Sequence, residues 1–73
     1  TSHMPVLPSP IAGVFLRYLV KEGDTVTADT EIAVIDSMKM HIPVLAERRG
    51  RVKSLPLAEN AAVDEGQTLV ELD

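Results

Sequence analysis

The sequence predicts an all-β fold: a flattened barrel or sandwich of two antiparallel sheets related by quasi-two-fold symmetry. Three observations support this prediction. Apolar positions recur in the two halves of the chain at a constant offset of 37 residues. Short runs of β-branched and aliphatic residues are separated by turn signals. Five prolines argue against long helices. A small domain with these features buries its apolar residues between two sheets.

The internal repeat continues without a gap. Gly13 aligns with Gly50, and apolar residues align along the rest of each half: Phe15 with Val52, Tyr18 with Leu55, Val20 with Leu57, Val26 with Val63, Ile32 with Leu69 and Ile35 with Leu72. Few aligned residues are identical, so the prediction depends on the spacing of the apolar positions.

Turn positions also coincide between the halves. Gly23 aligns with Asn60, and Asp29 aligns with Gly66. Gly, Asn and Asp are the residues that tolerate left-handed backbone. We therefore expect the same turns in both halves, with Asn60 left-handed like Gly23.

Five strands are predicted in chain order, at 14–20, 31–37, 40–46, 51–57 and 68–72. Turn signals follow the first strand, as Lys-Glu-Gly-Asp at 21–24, and precede the last, as Asp-Glu-Gly-Gln at 64–67. Residues 59–62 include helix formers, but the run is too short to form a helix alone.

Chain length, cysteine content and net charge limit the class of protein. Seventy-three residues allow one domain, and the absence of cysteine excludes disulfides and thiolate metal sites. The net charge of −4 argues against a nucleic-acid-binding protein, and we interpret the basic cluster 48–53 as a solvated loop. No apolar run is long enough to span a membrane, and no signal peptide is evident. We therefore expect a soluble cytoplasmic protein that binds neither nucleic acid nor membrane.

The first four residues, Thr-Ser-His-Met, have the pattern of a cloning scar, so we place the domain at 5–73. Its core must be aliphatic, because the chain has one Phe and one Tyr. The two histidines, His3 and His41, are too few and too far apart to predict a metal site.

The candidate site is Ser37-Met38-Lys39-Met40, at the midpoint of the repeat. A two-residue hairpin favours Asn-Gly or Asp-Gly because its central positions take positive φ. Met38 and Lys39 break that rule, and large apolar side chains are normally buried. A local rule broken without local gain indicates a functional site.

The hairpin predicts a register in which Ser37 pairs with Met40, Asp36 with His41, and Ile35 with Ile42. Asp36 and His41 are then placed to form a weak charged or hydrogen-bonded pair. The repeat puts the counterpart of Lys39 beyond the ends of the domain. We therefore expect Lys39 to project from the end opposite the termini.

The Met-Lys-Met triplet, the hairpin and the two half-repeats together resemble the biotinyl domain of biotin carboxyl carrier proteins, over residues 6–72. The likeness is to the thumbless, small single-domain biotin/lipoyl attachment type, a barrel-sandwich hybrid. The family commonly has Glu-Ala-Met-Lys-Met, where residues 36–40 here read Asp-Ser-Met-Lys-Met. Residues 9–13 fit the family motif of the first half, whereas residues 46–50 lack the usual proline.

The resemblance implies that Lys39 carries biotin, attached through an amide by a biotin protein ligase, with Met38 and Met40 completing the cofactor site. The biotinyl arm would move a carboxyl group from a biotin carboxylase to a carboxyltransferase, in an acyl-CoA carboxylase. The chain has no nucleophilic triad or phosphate loop, so we expect a carrier that does not catalyse by itself.

Two alternatives remain at this point. A lipoyl domain shares the fold and modifies a hairpin lysine, but commonly reads Asp-Lys-Ala, so the methionines favour biotin. An unmodified interaction module on the same scaffold would need no lysine at the tip.

Overall fold

The computed structural model describes residues 5–73, and the predicted cloning scar at 1–4 lies outside them. The described residues contain eight strands and no helix: β1 (Val6–Pro8), β2 (Gly13–Tyr18), β3 (Thr25–Val26), β4 (Glu31–Ser37), β5 (Met40–Leu45), β6 (Gly50–Ser54), β7 (Ala61–Val63) and β8 (Thr68–Leu72). Within this part of the chain there is accordingly no helix that could cross a membrane.

The strands form two four-stranded antiparallel sheets whose orders match under the internal repeat. One sheet has the order β1-β8-β6-β3 and the other β5-β4-β2-β7. An offset of 37 residues converts the first order into the second, strand by strand. The predicted all-β fold with quasi-two-fold symmetry is confirmed.

The symmetry extends to single hydrogen bonds. The Gly23 N–H donates to the Val52 carbonyl at 2.8 Å, and the equivalent Asn60 N–H donates to the Phe15 carbonyl at 2.7 Å. Gly23 has φ 92° and Asn60 has φ 69°. The expected left-handed backbone at Asn60 is confirmed. In each half, the loop that leaves a strand of one sheet thereby donates a hydrogen bond to a strand of the opposite sheet.

Replacement of Asn60 tests this backbone requirement. Asn60→Gly is expected to be neutral or mildly stabilising, because it removes a left-handed Cβ. Asn60→Val is expected to lower the free energy of unfolding by roughly 1–2 kcal/mol, because a β-branched side chain is strained at positive φ. Thermal unfolding compares the two variants. Equal melting temperatures would contradict the backbone argument.

The second pair of turns matches only in part. The Thr27–Thr30 and Asp64–Gln67 turns are each closed by a backbone hydrogen bond of 3.0 Å. Gly66 has φ 85°, but Asp29 is not left-handed, so the expectation of identical turns is wrong here. Positive φ at the third turn residue is the type II arrangement, which favours Gly at that position. A type I turn has negative φ at its third residue, accepts Asp there and closes the same backbone hydrogen bond.

The core lies between the sheets, and the apolar residues that the repeat aligns either belong to it or pack against it. β4 is buried on both faces from Ile32 to Ile35. The fully buried large side chains come from both halves: Leu7, Phe15, Val26, Ile32, Ile35, Val52, Leu69, Val70 and Leu72. The predicted aliphatic core is confirmed.

The predicted strands at 31–37 and 68–72 are confirmed at both ends. The strand predicted at 40–46 ends one residue earlier, at Leu45, and those predicted at 14–20 and 51–57 extend beyond the observed ends at Tyr18 and Ser54. Beyond Tyr18 and Ser54 the chain leaves the sheets. Its apolar residues still pack against the core, so their pattern continued past the strand ends. The short strands β1, β3 and β7 were not predicted, because two or three residues carry no measurable periodicity.

Tyr18 ties the two sheets together through its hydroxyl. Its O–H donates to the Leu69 carbonyl at 2.6 Å and accepts from the Leu57 N–H at 3.0 Å. Burial raises the pKa of Tyr18, while the hydrogen bond from Leu57 opposes the shift. The folded state therefore favours the neutral phenol. The stability that this gives is complete below the unfolded pKa of about 10 and is lost as pH rises through the folded pKa.

Tyr18→Phe is expected to lower the free energy of unfolding by about 1–3 kcal/mol, because it removes the hydroxyl that pairs with the Leu69 carbonyl and the Leu57 N–H. Urea unfolding at neutral pH measures the loss. The same comparison above pH 10 should show a smaller difference, because there the wild-type hydroxyl ionises on unfolding. A constant difference across this range would contradict the role of the neutral hydroxyl.

Candidate functional site: the hairpin tip

The tip is the two-residue turn between β4 and β5. Ser37 pairs with Met40, Asp36 with His41 and Ile35 with Ile42, so the predicted register is confirmed. Met38 and Lys39 are then the two central turn residues. Because β4 is buried on both faces, the core fixes the strand that leads to Lys39.

Both central residues are left-handed, with φ 54° at Met38 and 66° at Lys39. This is the backbone of a type I′ hairpin turn, which the right-handed twist of the strands favours. A non-glycine residue in this region costs roughly 1–2 kcal/mol. The hairpin therefore accepts strain at two positions that Asn-Gly would fill at less cost. Such strain is typical of functional sites.

All three residues of the triplet are open to solvent. Met38 is 91 % exposed and Met40 is 64 % exposed, and Lys39 is exposed between them. Both methionines therefore lie outside the core. The fold thus presents a primary amine and two apolar side chains at one tip.

The exposure predicts that the methionines contribute little to folding. Met38→Leu and Met40→Leu are each expected to change the free energy of unfolding by less than about 0.5 kcal/mol, because neither opens a core cavity. Chemical denaturation measures this directly. A loss of about 2–5 kcal/mol, the size of a core truncation, would contradict the position of the tip.

The predicted pair of Asp36 and His41 is not formed. The two residues are directly opposed, but no hydrogen bond or ion pair joins their side chains. His41 is exposed, and water competes with such a contact at the surface. The tip is therefore held by its strands rather than by a side-chain pair.

Two other features locate the tip in the fold. β2 approaches β4 closely at Gly13, where an added Cβ would lie 2.5 Å from the Asp36 carbonyl oxygen. The Leu72 N–H donates to the Pro5 carbonyl at 2.8 Å. This bond joins the two ends of the described part of the chain at the place that the repeat makes equivalent to the pairing of Ile35 with Ile42 in the hairpin. These contacts support the expected placement of the termini as the counterpart of the tip.

A groove of mixed polar and apolar lining was not predicted from the sequence. It runs between β1 and the far end of β5, and Leu45, Ala46 and Arg48 form one side of it. Glu47, in the same loop, has φ 61°, where the equivalent residue of the first half is Pro10. The strand at one wall, β5, was predicted, but β1 at the other wall has three residues and was not, so the groove between them was missed. Arg48 and Arg49 are exposed in this loop, as expected for a solvated cluster.

Comparisons with known proteins agree with this geometry. Residues 5–72 match the biotin/lipoyl family model, described as "biotin-requiring enzyme". The biotin/lipoyl attachment protein of Bacillus subtilis is 42 % identical over 62 residues, which cover 85 % of this chain and 85 % of that protein. The human mitochondrial propionyl-CoA carboxylase alpha chain is 44 % identical over 68 residues, which cover 93 % of this chain but 9 % of the human chain.

The structural comparison agrees on the fold. The crystal structure of Kluyveromyces lactis urea carboxylase superposes with a TM-score of 0.89 at 23 % identity, and the match covers all of this chain and 6 % of that one. At this identity the likeness concerns the fold alone. A domain of this architecture is thus found both as a small protein and as a short part of a large carboxylase chain.

Proposed function

The chain belongs to the biotin/lipoyl family as a biotin carrier domain, and from this premise we propose that it carries biotin on Lys39 and transfers carboxyl groups between two partner sites. The observation that supports the proposal most directly is the exposure of the Met-Lys-Met triplet on a strained turn at the tip.

The tip suits attachment of biotin through an amide. The neutral Lys39 amine attacks the activated carboxyl group of biotin. The amide C–N bond forms, the bond from the carboxyl carbon to the activating group derived from ATP breaks, that group leaves, and the proton that the nitrogen loses passes to solvent. The turn holds the amine outside both sheets, so a ligase can reach it without disturbing the core. Acylation removes the positive charge of Lys39 and extends the side chain into a long flexible arm.

Bound biotin supplies the ureido ring that accepts and releases the carboxyl group. The protein's part is to hold the attachment point rigid and exposed. Because the arm is tethered, its effective concentration at each partner site exceeds that of free biotin and falls as the linker lengthens. The partners in this proposal are a biotin protein ligase, a biotin carboxylase and a carboxyltransferase of an acyl-CoA carboxylase.

In this proposal the domain is a carrier and the two partner sites perform the catalysis. The relatives support this division, because one of them is a biotin carboxyl carrier protein, 29 % identical over 66 residues. We propose that the carrier is located in the cytoplasm.

The test is an intact mass measurement after incubation with biotin, ATP and a biotin protein ligase, with a streptavidin blot alongside. A gain of one biotinyl group is expected, and the holo-domain should then stimulate ATP cleavage by a biotin carboxylase in bicarbonate, whereas the unmodified domain should not. Modification by a lipoyl ligase instead would make this a lipoyl carrier. No modification by either ligase would favour an unmodified interaction module.

A further inference from the structure

Two exposed thioethers flank Lys39. Met38 is 91 % exposed and Met40 64 %, whereas the next most exposed large apolar side chain among the described residues, Leu19, is 42 % exposed. Methionine sulfur at such positions is open to small oxidants in solution. The chain has no cysteine, so no thiol competes for the oxidant.

The exposure also assigns the methionines a role outside the fold. A side chain in water contributes almost nothing to the core, and large apolar groups at the surface mark binding sites. Because the two methionines lie on either side of Lys39, the protein that modifies this lysine is the one that can contact them. Thioethers are adaptable in such contacts.

We infer that Met38 and Met40 are a reversible oxidation site for peroxides that controls modification of the neighbouring Lys39. The inference rests on the proposed function, because it concerns the same lysine. The peroxide O–O bond breaks, one oxygen forms an S–O bond, and the other leaves as water. The sulfur loses two electrons and the peroxide gains them. A dithiol reductase acting on methionine sulfoxide reverses the step: its two thiols supply two electrons and become a disulfide, the S–O bond breaks, and the oxygen leaves as water.

Oxidation changes recognition and leaves the fold intact. A sulfoxide is polar and carries a strong hydrogen-bond acceptor, so burying it against an apolar partner surface costs free energy that the thioether does not. The same sulfoxide in the free domain stays in water, because neither side chain packs in the core. The ligase should therefore discriminate against the oxidised tip while the domain remains folded.

The experiment uses the apo-protein in a Met4→Leu background, because Met4 is the third methionine of the chain. The protein is treated with hydrogen peroxide, and catalase then removes the excess. Peptide mass analysis should find one added oxygen on Met38 and one on Met40. The rate of biotinylation by a biotin protein ligase is then compared with that of the same protein before treatment.

Oxidation is expected to lower this rate about tenfold, the effect of losing the burial of one apolar side chain. Methionine sulfoxide reductase should restore the starting rate. In the matched control, which adds Met38→Leu and Met40→Leu, peroxide should leave the protein's own starting rate unchanged.

An unchanged rate with both sulfoxides present would overturn the inference, and so would a peroxide effect that reductase does not reverse. Failure of the untreated protein to accept biotin would instead overturn the proposed function. Circular dichroism before and after treatment should be the same, and a loss of β structure on oxidation would contradict a role in recognition alone.

Discussion

Lys39→Arg is expected to abolish biotinylation and streptavidin binding while leaving the fold intact. Arginine keeps the positive charge of Lys39, but its guanidinium stays protonated in proteins and is not a usable acylation nucleophile. Because Lys39 is exposed, the substitution opens no cavity. Intact mass measurement after ligase treatment should show only the unmodified protein.

The matched controls are Lys21→Arg and Lys53→Arg, since the chain has three lysines. Both Lys21 and Lys53 are exposed, but neither lies on the tip. Each control should be biotinylated at the wild-type rate. Streptavidin binding by Lys39→Arg, or its loss in a control variant, would place the attachment site elsewhere.

The position of the hairpin could be predicted from the sequence because the Met-Lys-Met triplet lies at the midpoint of the repeat, although Met38 and Lys39 carry no turn signal of their own. Once these two residues are taken as the loop, its length determines the pairing of Ser37 with Met40. The strained backbone of Met38 and Lys39 follows from that loop length. The absence of a bond between Asp36 and His41 depends on side-chain orientation and solvent competition, which a register does not determine.

The fold could be predicted through the repeat, and its failures have specific physical causes. β1 and β5 are equivalent strands, but β1 contains Pro8 and has three residues, so it carries no pattern of its own. β7 begins with two alanines, whose preference is helical, and its pairing with β2 overrides that preference. In both cases the deciding interaction is with a distant strand, which local sequence does not show.

The two glycines at the start of the repeat also differ in a way that only the structure shows. Gly13 and Gly50 are equivalent, and both open a strand. A Cβ at Gly13 would lie 2.5 Å from the Asp36 carbonyl oxygen and 3.0 Å from Ile35 Cγ2. A Cβ at Gly50 would lie 2.7 Å from Leu72 Cδ1, with its next contacts at 3.4 Å.

Gly13→Ala is therefore expected to lower the free energy of unfolding by about 3 kcal/mol, at the upper end for overpacking. The clash is with the backbone of Asp36 in β4, which directly follows the stretch Ile32–Ile35 that is buried on both faces, so this backbone cannot shift without disturbing the core. Gly50→Ala is expected to cost less than about 1 kcal/mol, because the end of the Leu72 side chain can rotate away. For a domain of this size the larger loss lowers the melting temperature by roughly 12 °C or more.

Thermal unfolding of the two variants tests whether Gly13→Ala lowers stability more than Gly50→Ala does. Equal destabilisation would mean that the β2–β4 approach is no tighter than its counterpart between β6 and β8. The position of the clash adds a second readout, because Asp36 lies two residues before Met38. Gly13→Ala should shift the amide resonances of residues 36–41 at the tip, whereas Gly50→Ala should leave them unchanged, since its contact lies at the symmetry-equivalent chain end. A larger effect of Gly13→Ala on both stability and the tip resonances would show that, of the two equivalent strand contacts, the tighter one is next to the hairpin that carries Lys39.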